Sequence, residues 1–163
     1  MSTDFQFVAL PSEQFTHLFS LNEAELAWVD AKRMTVDAYP GFPCRVSLMD
    51  AAVGERVILT HFQHHGANSP YRSTGPIFVR EKAQTAKPAV NKIPGMFNDR
   101  LLSVRAYGET AMMKGARVVE GRTLEETIRN FFADETVSYL QIHNAAPGCF
   151  NCTVQRATIT VGD

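Results

Sequence analysis

The stretch HNAAPGCFNC, residues 143–152, holds a histidine, a Pro-Gly turn and a Cys-x-x-Cys pair close together. A cysteine thiolate beside a histidine can act as a nucleophile with a neighbouring base. Two cysteines at this spacing can instead bind a metal ion or cycle between dithiol and disulfide. A fourth interpretation is a plain hairpin in which Cys149 and Cys152 are small apolar side chains.

The redox interpretation has the weakest support from the residues. In thioredoxin-like motifs the first cysteine lies at a helix N-terminus, where the helix dipole favours the thiolate. Here Cys152 is followed by TVQRATITV, an alternating and β-branched run that predicts a strand. A strand offers no such dipole, so the pair is not expected to be a redox centre.

A metal site would need ligands from elsewhere in the chain. Structural zinc takes four ligands, usually as two closely spaced pairs, and the sequence has no second Cys-x-x-Cys. His64, His65 or His143 would have to complete the set. A mononuclear site of His64, His143 and Cys149 stays open as an alternative.

A reactive pair is the most specific of the four interpretations. A hairpin through NAAPG would bring His143, at the end of one strand, close to Cys149, at the start of the next. We therefore predict Cys149 as a nucleophile and His143 as its base, with His64 as a second base or metal ligand. The structural alternative is that Cys149 is buried, as free cysteines often are, and that His143 is a hydrogen-bonded strand end.

Two other segments carry groups that suit an anionic ligand. The segment 60–73 is THFQHHGANSPYRS, in which a tyrosine and an arginine follow a Ser-Pro turn. Arginine's planar fork binds carboxylate or phosphate, and tyrosine stacks or donates a hydrogen bond. The segment 40–45, PGFPCR, is stiffened by two prolines. The predicted ligand-binding residues are Cys44, Arg45, Tyr71 and Arg72; for Arg72 an ion pair within the protein is the alternative.

Together these residues predict a small-molecule pocket, binding or enzymatic, where the three segments meet. The alternatives are a non-catalytic binding or interaction module with structural cysteines and histidines, and the metal-binding protein. The sequence has no phosphate-binding glycine loop, GxSxG elbow or HExxH motif. It therefore indicates no particular cofactor, substrate or reaction.

Composition narrows the class of protein. The 163 residues suit one domain, 1–163, with a genuine core, and 45% hydrophobic with 20% charged residues is ordinary globular composition. The net charge of −1, without a basic run, argues against nucleic-acid binding. The N-terminal residues lack the features of a secretory signal, and no apolar run is long enough to cross a membrane. We expect a cytoplasmic protein with reduced thiols.

Hydrophobic spacing predicts an α+β fold. Short alternating runs through the chain predict strands, and TLEETIRNFFAD, 123–134, predicts a helix with a capping box of Thr123 and Glu126. Asn22 and Ser12 are predicted to cap two earlier helices. Since strands do not alternate with helices, we predict a mainly antiparallel, barrel-like sheet with two or three helices on it. ERVILTHF or TVQRATITV at a sheet edge would allow a homodimer.

Three blocks, PGFPCRVSLMDAAVGERV, SPYRSTGPIFVRE and HNAAPGCF, resemble a bacterial family known as domain-of-unknown-function family 1203. The resemblance extends from near Phe15 to Arg156 and implies a small single-domain bacterial protein, with no activity attached. It leaves out His65 and Cys152, and so favours chemistry of Cys149 with His143. The residues that it matches are Cys44, Arg45, His64, Tyr71, Arg72, His143, Pro147, Gly148 and Cys149.

Overall fold

Within residues 2–158, which the computed structural model describes, the chain forms eight strands in two antiparallel sheets and two α-helices. The strands are β1 Phe5–Val8, β2 Ala31–Thr35, β3 Arg56–His65, β4 Ser73–Arg80, β5 Leu101–Tyr107, β6 Met113–Glu120, β7 Tyr139–Asn144 and β8 Phe150–Arg156. The helices are α1 Glu23–Trp28 and α2 Leu124–Phe132, with 3-10 turns at Ser12–Gln14, Thr16–Ser20, Gly95–Phe97 and Gly121–Thr123.

The large sheet has the strand order β1-β8-β7-β5-β6, and the small sheet has the order β2-β3-β4. The predicted α+β, mainly antiparallel fold is therefore confirmed. Barrel closure is wrong, because β1 and β6 end the large sheet and β2 and β4 end the small one within the described residues. In the same part of the chain no helix is long and apolar enough to cross a membrane.

Helix α2 covers one face of the large sheet. Its buried side chains recur at helical spacing, and β5 and β7 present their alternate apolar residues to them. This face is the main core of the protein. It includes Leu124, Ile128, Phe132, Leu102, Val104, Ala106, Leu140 and Ile142.

The predicted helix starts differ in their outcome. Asn22 caps α1, because its side-chain oxygen accepts the backbone N–H of Glu25 at 2.9 Å. The capping box of Thr123 and Glu126 is wrong: the Thr123 hydroxyl donates instead to the carbonyl of Glu120 at 2.9 Å. The Thr123 hydroxyl therefore binds the 3-10 turn that precedes α2 and does not cap the first turn of α2 itself. Ser12 begins a 3-10 turn and makes no side-chain cap.

The opposite face of the large sheet is polar, and the small sheet reaches it through the end of β3. The pairing of β3 with β4 is irregular between Phe62 and His65, and such irregularities re-aim side chains. His64 and His65 thereby contact the residues of β7. Directly opposed residues on this polar face are Ser103 and His143, Arg105 and Gln141, and Tyr107 and Tyr139.

Neither strand named for a homodimer lies at a sheet edge. β3 lies between β2 and β4, and β8 lies between β1 and β7, so both use their backbone groups inside a sheet. The edge prediction is therefore wrong for both segments. The strand predicted over CTVQRATITV ends at Arg156, and residues 159–161 of that prediction lie outside the described residues.

Candidate functional site

Gln141 lies at the centre of the polar face and joins two histidines. Its Oε1 is 3.1 Å from Nδ1 of His64 and 3.3 Å from Nε2 of His143. Its Nε2 donates to the backbone carbonyl of His64 at 2.7 Å, which fixes the orientation of the amide. The side chain is buried, so these bonds hold the end of β3 on the large sheet.

His143 is fully buried, and both ring nitrogens face acceptors. Nδ1 is 3.0 Å from the carbonyl of Gly148, and Nε2 faces Oε1 of Gln141. Burial lowers the pKa of His143 from 6.5 to about 3, with the charges of Arg105, His64 and Arg45 acting in the same direction. A neutral imidazole carries one N–H, so it satisfies one of these two acceptors. His143 is a neutral, immobilised ring.

His64 is the more available of the two histidines. It is half-buried, and its ring stacks on Phe150 with centroids 5.3 Å apart and planes 9° apart. Because the Gln141 amide is held by its other bond, Nδ1 of His64 is the nitrogen that donates to Oε1. Nε2 then carries the lone pair and has no hydrogen-bond partner within the described residues. Burial lowers the pKa of His64, so the ring is neutral near neutral pH.

Cys149 does not meet His143. His143 pairs with Phe150 across the hairpin, whereas the Asn144 N–H donates to the Cys149 carbonyl at 2.9 Å. The Cys149 sulfur accepts a hydrogen bond from the side chain of Asn144, and Asn144 follows His143 in β7, so its side chain points to the opposite face from the His143 ring. In the described part of the chain no hydrogen bond joins them. The structure therefore does not assemble the expected nucleophile and base.

The Cys149 sulfur lies instead beside Asn144 and Arg45. Nδ2 of Asn144 donates to it at 3.2 Å, and the Arg45 guanidinium interacts with it through charge and a side-chain hydrogen bond. Arg45 is buried and donates to the backbone carbonyls of Phe150 at 2.7 Å and Pro43 at 2.5 Å. Burial lowers the pKa of Arg45, and the Cys149 sulfur opposes that shift.

The other two cysteines are structural. Cys44 is buried, and its sulfur accepts the backbone N–H groups of Ser47 and Arg80, both at 3.4 Å. Cys152 is buried in the core under α2, where burial raises its pKa. Cys44 and Arg45 thus tie the segment 40–45 to its neighbours, and neither side chain is open to a ligand from solvent.

Tyr71 and Arg72 lie on the loop 66–72 between β3 and β4, and both are exposed. The Tyr71 ring meets Tyr107 edge-on at 6.2 Å, and its backbone carbonyl bonds Nδ1 of His65 at 2.9 Å. The Arg72 side chain has no hydrogen bond or ion pair to the described residues. Of the predicted ligand-binding residues, these two are the ones that solvent reaches.

Residues 41–156 match the family described as "Protein of unknown function (DUF1203)". The chain belongs to the DUF1203 family. No curated protein and no solved structure matches it. The DUF1203 match contains all the predicted site residues, from Cys44 to Cys149, but begins at residue 41 and so does not cover the expected resemblance from Phe15 to Pro40.

Two central residues of the polar face, Arg105 and Gln141, were missed by sequence reasoning. Arg105 is half-buried; its one hydrogen-bond partner in the described residues is Oγ of Ser103, at 3.2 Å, and it has no carboxylate partner there. Its positive charge acts on both His64 and His143. The signal that could have found this face is the polar residue at every second position of LLSVRAY and VSYLQIH.

The predicted metal ligands are not gathered. Among residues 2–158, no group of three His, Cys, Asp or Glu side chains is placed to hold a metal ion. His143 has both ring nitrogens engaged, and Cys149 faces away from it. A shared site of His64, His143 and Cys149 would require this hairpin to rearrange.

Proposed function

We propose that this protein binds a small anionic molecule, a carboxylate or phosphate, on the polar face of the large sheet at Arg105 and His64. The observation that carries the proposal is an arginine without a carboxylate partner in the described residues, close to an imidazole whose Nε2 is free to accept a hydrogen bond. A half-buried guanidinium that makes one of its five possible hydrogen bonds is suited to an external anion.

Access to this part of the face supports the proposal. On the neighbouring strand β6, Ala116 lies opposite Arg105 and Val118 lies opposite Ser103, so both share the polar face. Both are exposed, and Val118 retains 63% of its accessible surface. A ligand can therefore reach Arg105 from the side of β6.

His64 would give the site its chemistry. Its pKa is lowered by burial, so it presents a neutral Nε2 near neutral pH. When a bound anion also carries an ionisable hydroxyl or an acidic C–H, this nitrogen is the base that takes the proton. Gln141 fixes the ring by accepting from Nδ1, the role that a carboxylate has in hydrolase triads, but without adding negative charge.

Calorimetric titration with inorganic phosphate and with citrate, at constant ionic strength, tests the proposal. We expect saturable binding of at least one of the two anions that Arg105→Gln weakens by about tenfold or more. Arg117→Gln is the matched control, because Arg117 lies on β6, opposite Val104, and its guanidinium covers Phe131 on the helix side. No binding, or equal loss in both variants, would contradict the proposal.

A non-catalytic interaction module is the second candidate function. It is favoured by the burial of Cys44, Cys152 and His143, and by the hydrogen bonds that Cys44 and His143 make within the protein. This candidate predicts that neither anion binds. It also predicts that replacing Arg105 changes neither the free energy of unfolding nor the binding of a partner protein. The same titrations therefore separate the two functions.

A further inference from the structure

Arg45 is a buried cation without a carboxylate partner in the described residues. It retains 1% of its accessible surface, and its side chain forms hydrogen bonds with the carbonyls of Pro43 and Phe150 and with the sulfur of Cys149. Carbonyl dipoles offset part of the cost of burying a charge, but they do not neutralise it. Two cysteine sulfurs, of Cys149 and Cys44, act on Arg45 through charge, and of these two Cys149 is the one that is not buried.

Two asparagine amides form a chain of hydrogen bonds that ends at the Cys149 sulfur. Asn144 donates Nδ2 to the sulfur at 3.2 Å, while its Oδ1 accepts from Nδ2 of Asn151 at 2.9 Å. Asn151 is fully buried, and its Oδ1 has no partner among the described residues. The Asn151 amide thus donates to the Asn144 amide, which in turn donates to the Cys149 sulfur, and the Oδ1 of Asn151 accepts no hydrogen bond from the described residues.

We propose that Cys149 is a modification site that exchanges with small disulfides, activated by Arg45 and Asn144. The sulfur, as thiolate, attacks one sulfur of a low-molecular-weight disulfide; a new S–S bond forms to Cys149, and the original S–S bond breaks. The leaving thiolate carries away the electron pair and takes a proton from water. Arg45 and Asn144 stabilise the negative charge on Sγ before the attack.

The exchange has consequences for the fold. A mixed disulfide removes the charge that the Cys149 sulfur can carry, and it leaves the Arg45 guanidinium to its two carbonyl partners. Since an uncompensated buried charge is destabilising, the modified protein should unfold at a lower temperature than the thiol form. This inference does not depend on anion binding at Arg105, which lies on the polar face, whereas the Cys149 side chain lies on the other side of the hairpin.

The other two cysteines make the experiment self-controlled. Cys44 and Cys152 are buried, whereas Cys149 is half-buried. The folded chain is treated with excess dithiodipyridine, and the released thiopyridone is followed with time. We expect one fast equivalent, mapped to Cys149 by peptide mass and absent from Cys149→Ser. The rate constant for the reaction of Cys149 with dithiodipyridine should be about tenfold or more higher in the folded chain than in the urea-unfolded chain.

A variant tests the cause of the activation. Asn144→Leu should slow the fast equivalent by about tenfold, whereas Asn68→Leu, at an exposed loop asparagine, should leave it unchanged. The comparison of folded with unfolded wild-type chain needs no variant and holds even where Asn144→Leu fails to fold. A Cys149 that reacts no faster in the folded chain than in the unfolded one would overturn the proposal. So would a fast equivalent that maps to Cys44 or Cys152.

Discussion

His64 and His143 share one hydrogen-bond acceptor, Oε1 of Gln141, which lies 3.1 Å from Nδ1 of His64 and 3.3 Å from Nε2 of His143. The arrangement ties together three chain segments, since the carbonyl of Gly148 lies at the other nitrogen of His143. A second proton on His143 would satisfy both of its acceptors, but burial of the ring opposes that charge. The polar face is therefore stable with neutral histidines and is sensitive to acid.

The stability of the protein should fall as the pH drops below 6.5, the ordinary pKa of histidine. In the unfolded chain His143 takes up a proton near that pH, whereas in the folded chain its pKa is lowered to about 3 by burial. The unfolded state then binds more protons, so acid favours it, by up to about 1.4 kcal/mol per pH unit for one group. Between pH 6.5 and about 4.5 the stability advantage of wild type over His143→Asn should shrink by about 2 kcal/mol.

Urea unfolding at a series of pH values measures this difference. Asp4, Glu55 and Asp134, whose pKa values are lowered in the folded chain, contribute equally to the wild type and to His143→Asn, so their effect cancels in the difference between the two proteins. His17→Asn, at an exposed histidine, is the control and should follow the pH dependence of the wild type. Parallel curves for wild type and His143→Asn would show that the buried ring does not govern the acid response.

Gln141 should contribute to the free energy of unfolding and should control the pKa of His64. Gln141→Leu leaves the two imidazoles and the backbone carbonyl of His64 without their partner, at an expected cost of about 2 kcal/mol. Gln141→Glu keeps the shape and places a carboxylate beside His64, so the pKa of His64 should rise, as followed by NMR titration of its ring signals.

Gln155→Leu is the matched control for the leucine variant, because Gln155 is exposed on β8 and its side chain makes no hydrogen bond to the described residues. Its free energy of unfolding should stay within about 0.5 kcal/mol of the wild type. An unchanged pKa of His64 in Gln141→Glu would mean that Gln141 does not control this ring.

Local patterns in the sequence predicted most of the fold. The alternating runs form strands, the apolar stripe of α2 packs on the sheet, and Asn22 caps a helix, as their patterns predicted. The capping box at Thr123 failed because the 3-10 turn before α2 places its hydroxyl against Glu120. Barrel closure failed because strand order and sheet edges depend on long-range pairing, which no local pattern of residues encodes.

The site was predicted only in part, because the positions of its side chains also depend on how the strands pair. Sequence proximity suggested that His143 would meet Cys149, but the register of the hairpin opposes His143 to Phe150 and so separates the two side chains. His64 does reach His143, through the irregular end of β3. Arg105 and Gln141 belong to strands whose alternation was visible, yet only the pairing of β5 with β7 shows that they lie opposite each other.

The ion pair of Asp50 with Arg100 should matter far more than its surface counterparts. Both guanidinium nitrogens bind the carboxylate, at 2.8 and 2.5 Å, and the Asp50 side chain is 5% exposed. Asp50→Ala leaves a mostly buried guanidinium unpaired, at an expected cost of about 3 kcal/mol in the free energy of unfolding. Glu120→Ala, which removes the exposed partner of Arg122, should cost less than about 1 kcal/mol. Equal costs in urea unfolding would contradict this ranking.

Gly121 should be the glycine least tolerant of a side chain. It begins the 3-10 turn before α2, and a Cβ there would lie 1.6 Å from the carbonyl oxygen of Phe97 and 2.6 Å from its carbonyl carbon. These are backbone atoms of a buried residue in the core, so they cannot yield as a flexible side chain would. Gly121→Ala must therefore displace the segment around Phe97 from the turn, and we expect a loss of about 3 kcal/mol or more.

The matched substitution is Gly75→Ala, in β4, because no atom lies within 4 Å of a Cβ at that position. Alanine restricts the unfolded chain more than glycine does, so Gly75→Ala should be neutral or should stabilise by about 0.5 kcal/mol. Thermal and urea unfolding of both variants, with anion binding at Arg105 as a second readout, compare the two sites. A Gly121→Ala protein as stable as Gly75→Ala would mean that the approach of Phe97 to this turn is looser than the structure has it, and the packing of α2 would need a different explanation.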